Sequence, residues 1–126
     1  MKKLAIVFFT VALTGCASVI PSFWDDNQSA KIVDAQVKIQ QLDCSQPHFP
    51  QVAGIHNDLV WFEVYSKSKG KMQNDVVELV KPLSETVEAF YDRSKAKQGS
   101  VTYCEGKKEI MIEQVNKVAE GVLGRW

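Results

Sequence analysis

Histidine is scarce in this 126-residue sequence, with only two, and cysteine is limited to three. No two cysteines stand at a Cys-x-x-Cys spacing, so neither a zinc ribbon nor a covalently attached haem is expected. His48 and His56 offer too few ligands for a metal held between facing helices. Charge of one sign is not in excess, because 15 basic residues balance 15 acidic ones. Without a basic face, nucleic-acid binding is not expected. A Gly-x-Ser-x-Gly elbow is missing, and the glycines at 54, 70, 99, 106, 121 and 124 are too scattered for a phosphate-cradling loop. Only one long apolar run occurs, Leu4 to Leu13, and its ten residues fall short of the roughly 20 that a spanning helix needs.

That run carries the most specific signal present. Lys2 and Lys3 precede it, and Leu13-Thr14-Gly15-Cys16 closes it, as a positive n-region, an apolar h-region and a small-residue cleavage site do. Leu13-Thr14-Gly15-Cys16 resembles the lipobox of bacterial lipoproteins. The resemblance implies a diacylglycerol thioether on Cys16, cleavage before that residue and acylation of the new amino terminus. Residues 1–15 are then a signal peptide, 16–25 a lipidated cysteine and tether, and 26–126 a folded domain. Residue 17 is Ala where inner-membrane lipoproteins often carry Asp, so the resemblance implies an outer-membrane anchor facing the periplasm. Cleavage after residue 15 leaves 111 residues, enough for one small domain. Residues 17–24 reach at most about 26 Å, which holds that domain close to its bilayer. Phe23 and Trp24 are expected to staple onto the first helix. Insertion into the lipid interface is the alternative.

The rest of the chain predicts an all-α fold, a small antiparallel four-helix bundle. Asp25, Asp26 and Asn27 supply cap chemistry for a helix over residues 27–43, whose stripe is Ile32, Ala35, Ile39 and Leu42. Pro47 and Pro50 break the chain, leaving His48 in a loop. A second helix follows to about Lys69 with Val52, Ile55, Leu59 and Phe62. Val60, Trp61, Val64 and Tyr65 make it apolar on more than one side. Leu59 to Tyr65 also has the composition of a strand, but the chain offers no evident strand partner. Gly70 ends that element. Val76, Val80, Leu83, Val87 and Phe90 alternate spacings of four and three in a third helix, with Pro82 expected to kink it. Thr102 and Glu105 have the form of a capping box for a fourth helix, with Met111, Val115, Val118 and Val122 as its stripe.

With Cys16 assigned to lipid, Cys44 and Cys104 remain in a chain bound for an oxidising compartment and are read as one disulfide. In an up-down-up-down bundle the end of the first helix and the start of the fourth share a pole, so the topology permits this bond.

Catalytic chemistry is not evident. Glu78, Glu85 and Asp92 recur every seven residues, with Asp75 and Glu88 nearby, and read as a solvated face. Met72 and Met111 read as core and not as thioether ligands. Trp61-Phe62 and Phe90-Tyr91 also read as core, and Gly124-Arg125-Trp126 as a frayed end. The expected function is a non-enzymatic, membrane-anchored module binding an envelope protein, with no metal and no cofactor. Small lipoproteins of this class include exclusion factors that block a receptor. The alternative is a small-ligand carrier or enzyme with a pocket between helices near Trp61 and Tyr65.

Overall fold

The structure, a computed structural model, describes residues 24–124. The expected signal peptide (residues 1–15), Cys16, Phe23, Arg125 and Trp126 lie outside those residues. Four helices follow in order: α1 (Asp26–Gln40), α2 (His48–Ser68), α3 (Asn74–Ala96) and α4 (Val101–Leu123), with one 3₁₀ turn (Lys71–Gln73) joining α2 to α3. Each helix packs on the next, and α4 returns to α1, giving an antiparallel up-down-up-down bundle. No strand occurs among the described residues, and Leu59–Tyr65 is helical.

The hydrophobic stripes decide this packing. Ile32, Ala35, Ile39 and Leu42 meet Val52, Ile55, Leu59 and Phe62 in one core. Val76, Val80, Leu83, Val87 and Phe90 join them, as do Met111, Val115, Val118 and Val122. Every position expected on the four stripes is buried. Spacings of three and four place such residues on one helix face, and burying that face against three others drives assembly.

Local chemistry sets the helix ends. The Asp25 carboxylate accepts the backbone N–H groups of Asn27 and Gln28 at 2.9 and 3.0 Å, which caps α1. Chain direction changes between Gln41 and Pro47, so Pro50 does not break α2 but sits in its first turn. There a missing N–H has no consequence, because the first-turn donors lack helical acceptors anyway. His48 is therefore the first residue of α2 and fully buried, not part of a loop. Gly70 ends α2 region with φ 96°, a left-handed conformation that a Cβ disfavours. α3 continues through Pro82 as one element. Pro82 is exposed, so the carbonyl four residues earlier, deprived of its donor, is on the solvent side of the helix.

The expected cap of α4 is corrected. Ser100, not Thr102, holds the N-cap position, its hydroxyl accepting the Tyr103 N–H at 3.1 Å. Both residue types cap well. With this start Tyr103 lies edge-on to Phe90, ring centroids 5.6 Å apart, with the Arg93 guanidinium 3.9 Å from the Tyr103 ring centre.

Cys44 and Cys104 are bonded, with Cα atoms 5.6 Å apart and a sequence separation of 60. This separation lies within the usual disulfide range. The bond ties the turn after α1 to the first turn of α4. At the opposite pole the Gln28 side-chain amide donates to Ser66 Oγ and to Gln73 Oε1, both at 3.0 Å. These buried groups lock α1, the end of α2 and the 3₁₀ turn together.

Candidate functional site

Of the ionisable residues suited to catalysis, His56, Glu63 and Glu88 meet at one cleft, and His48, Glu78, Glu85 and Asp92 lie apart from it. His48 Nε2 lies 2.9 Å from the Cys44 carbonyl oxygen, with Phe90 edge-on at 6.0 Å. This ring is a buried peg beside the disulfide. His56 stacks on Tyr91 at 4.2 Å and 6°. Beside it, between α2 and α3, Glu63, Ser84 and Glu88 help line a cleft of about 60 Å³, room for a few water molecules. Glu78, Glu85 and Asp92 are exposed along α3, as a solvated face requires. Met111 is core, whereas Met72 is exposed and corrects the expectation of burial. Among the described residues, no group of three or more His, Cys, Asp or Glu side chains is placed to hold a metal ion.

Trp61 requires a second correction. Phe62 fills the core position with no exposed surface, while Trp61 remains 41% exposed. Successive helical residues point about 100° apart, so adjacent aromatics cannot share one buried face. Trp61 stacks on Tyr65 with ring centres 4.8 Å apart and planes 10° from parallel. The shallow concavity at these rings is lined by Asn57, Val60, Trp61, Val64, Tyr65 and Ser68, all from α2. Trp61 and Tyr65 are thus brought together on the outside of one helix.

Val60 and Val64 extend this surface, Val64 being 65% exposed. The result is an apolar stripe on the outward face of α2. Its borders are cationic. Lys31 Nζ lies 5.0 Å from the Trp61 ring centre, and Lys69 Nζ lies 5.4 Å from that of Tyr65. Such ammonium–ring contacts hold the rims in place while leaving the aliphatic residues open.

Two clusters fix the stripe to the bundle. Asp58, nearly buried on α2, pairs with Lys38 at 2.8 Å and Lys31 at 3.7 Å, both from α1. Nearer the helix end, Tyr65 donates its hydroxyl proton to Asp25 and accepts from Asn27, both at 3.0 Å. Lys69 also pairs with Asp25. Burial alone raises the Asp25 carboxyl pKa, but the bonds from Lys69, the Gln28 N–H and Tyr65 outweigh it and hold the group below its ordinary value. The same contact moves the Lys69 ammonium above its ordinary value.

Sequence periodicity did not single out this stripe, because α2 is apolar around most of its circumference. Its visible trace was the excess of apolar residues at 60, 61, 64 and 65 over what one core face needs. No family model, curated protein or solved structure matches this chain.

Proposed function

We propose that this chain is a lipid-anchored envelope protein whose bundle is a non-enzymatic protein-binding module. The observation that carries this reading is the α2 stripe of Val60, Trp61, Val64 and Tyr65. Aromatic and aliphatic groups at the centre of a polar surface are the composition of binding hot spots. The exposed positions 57, 60, 61, 64, 67 and 68 of α2 include no carboxylate, Glu63 being half-buried at one edge, and Lys31, Lys67 and Lys69 border them. The complementary partner presents an apolar patch rimmed by acidic side chains.

The anchor supplies the second support. The lipobox resemblance places diacylglycerol on Cys16, and residues 17–24 keep the domain within about 26 Å of its membrane. The same resemblance, with Ala17 where inner-membrane lipoproteins often carry Asp, implies an outer-membrane location facing the periplasm. Confinement to a surface raises the effective concentration of a weak binder towards partners in the same membrane. Exclusion or blocking of a receptor is a function of this kind.

Site-specific photocrosslinking in cells tests the reading. A photoreactive residue at Val64 is expected to trap one discrete membrane partner. The same residue at Ile110, exposed on α4, is not. Trp61→Ala should abolish the Val64 adduct while leaving the helical circular dichroism intact and costing about 1 kcal/mol of stability through the lost stack on Tyr65. Equal crosslinking from both sites, or an adduct unaffected by Trp61→Ala, would overturn it.

A further inference from the structure

The pole of the bundle where α1 begins has its own surface character. Trp24 is 46% exposed and does not staple onto α1, because the fourth helical position, where a staple needs an apolar partner, is Ser29. Its indole N–H donates to Asp26, which leaves the hydrocarbon face of the ring open. Met72, in the 3₁₀ turn, is 56% exposed. Gln73, the next residue, is bonded to Gln28 in the first turn of α1, so Met72 and Trp24 share this pole. Lys67, in the last turn of α2, and Lys69 and Lys71, in the connection that follows, are exposed at the same pole. Of the acids here, Asp25 is paired with Lys69 and Asp26 accepts from Trp24, while Asp75 and Glu120 lie in the end turns of α3 and α4 at the same pole.

We infer that this pole rests in the lipid headgroup layer, with Trp24 and Met72 in the interface and the Lys67 and Lys71 ammonium groups at lipid phosphates. This rests on the anchor reading, since the tether of residues 17–24 enters the domain at Trp24. A tether of at most about 26 Å, shorter than a bundle about 35 Å long, keeps this end near the bilayer and forbids the reversed upright orientation, and the exposed Trp24 and Met72 at this pole favour it as the contact. Tryptophan favours the interface because its ring is apolar and its N–H polar, and lysine stems cover apolar surface while their heads stay hydrated. The bundle then stands on its α1 end. The α2 stripe runs upward from the membrane surface, with Val64 and Val60 about 6 and 12 Å along the helix from Ser68. A partner reaching it is a membrane protein with surface close to the bilayer.

The mature protein is purified from membranes, its mass is measured, and it is reconstituted into vesicles carrying brominated acyl chains. The lipid is phosphatidylcholine, alone or mixed with phosphatidylglycerol. Trp61→Phe with Trp126→Phe leaves Trp24 as the reporter, and Trp24→Phe with Trp126→Phe leaves Trp61. Trp24 emission should shift to the blue and be quenched by bromine, Trp61 less so. Phosphatidylglycerol should strengthen the Trp24 signal. In the Trp24 reporter, Lys67→Glu with Lys71→Glu should weaken it without loss of helical circular dichroism. Quenching of Trp61 equal to or above that of Trp24, in protein of diacylated mass, overturns the orientation and leaves the anchor standing. A mass lacking diacylglycerol overturns the anchor, and the orientation with it.

Discussion

Asp25 does two jobs with one carboxylate. It caps α1 through the Asn27 and Gln28 N–H groups, and it receives Tyr65 and Lys69 from α2. Its lowered pKa links folding to acid. Below its ordinary value of 3.8 the unfolded chain binds a proton that the folded state still resists. Stability from this group is therefore complete above that value and is lost as pH falls through the lower folded value. Lys69 has the opposite sign, contributing below 10.5 and losing its contribution as pH rises through its raised value. Asp25→Asn keeps a good cap, since Asn and Asp cap about equally well, but removes the charge. The variant should lose less melting temperature than wild type between neutral pH and about pH 3. Some acid sensitivity should persist, because the Ser45 hydroxyl and N–H also lower Asp43. Equal acid-side losses in the two proteins would show that Asp25 is not the linked group.

For the helices, the stripes named the core, while ends and outer faces needed the neighbours. The start of α4 shows the difference. Ser100 and Thr102 are both competent caps two residues apart, and the folded chain uses Ser100, with Tyr103 packed edge-on to Phe90. Ser100→Ala should cost about 1 kcal/mol in urea unfolding, the usual loss for a serine cap. Thr102→Ala, at an exposed helical position, should stay within about 0.5 kcal/mol. The reverse ranking would place the cap where the sequence pattern suggested. α2 is the companion case. Its period marks Val52, Ile55, Leu59 and Phe62 as inward, but no local rule says whether Val60, Trp61 and Val64 meet a fifth element or open space. In this fold they are exposed.

For the whole molecule, a four-helix core in a chain this small leaves the disulfide a large share of stability. Closing a loop of 60 residues restricts the unfolded chain by about 4 kcal/mol in the chain-entropy account. Domains of this size are stable by about 5–15 kcal/mol. Replacing Cys44 and Cys104 by Ala should lower the melting temperature by tens of degrees. The far-UV helical signal should survive at low temperature, because the core stripes remain. A melting temperature unchanged by the double substitution would show that the bond is not coupled to unfolding.

The sequence by itself determined the helical class, the number of helices, the buried stripes and the two cysteines able to meet at one pole. It also carried the lipobox resemblance, which lies outside the described residues. All of these are local or nearly so: a period of 3.6, a cap, a breaker, an order of elements. Only the tertiary structure decided that His48 is a buried peg. The same holds for Asp25 meeting Tyr65 and Lys69, some 40 residues away, and for Trp61 facing outward beside Lys31. The physical reason is that periodicity reports how apolar each side of a helix is. Which side is covered depends on how many neighbours the assembled bundle supplies, and α2, with α1 and α3 against it, is left with one apolar face uncovered.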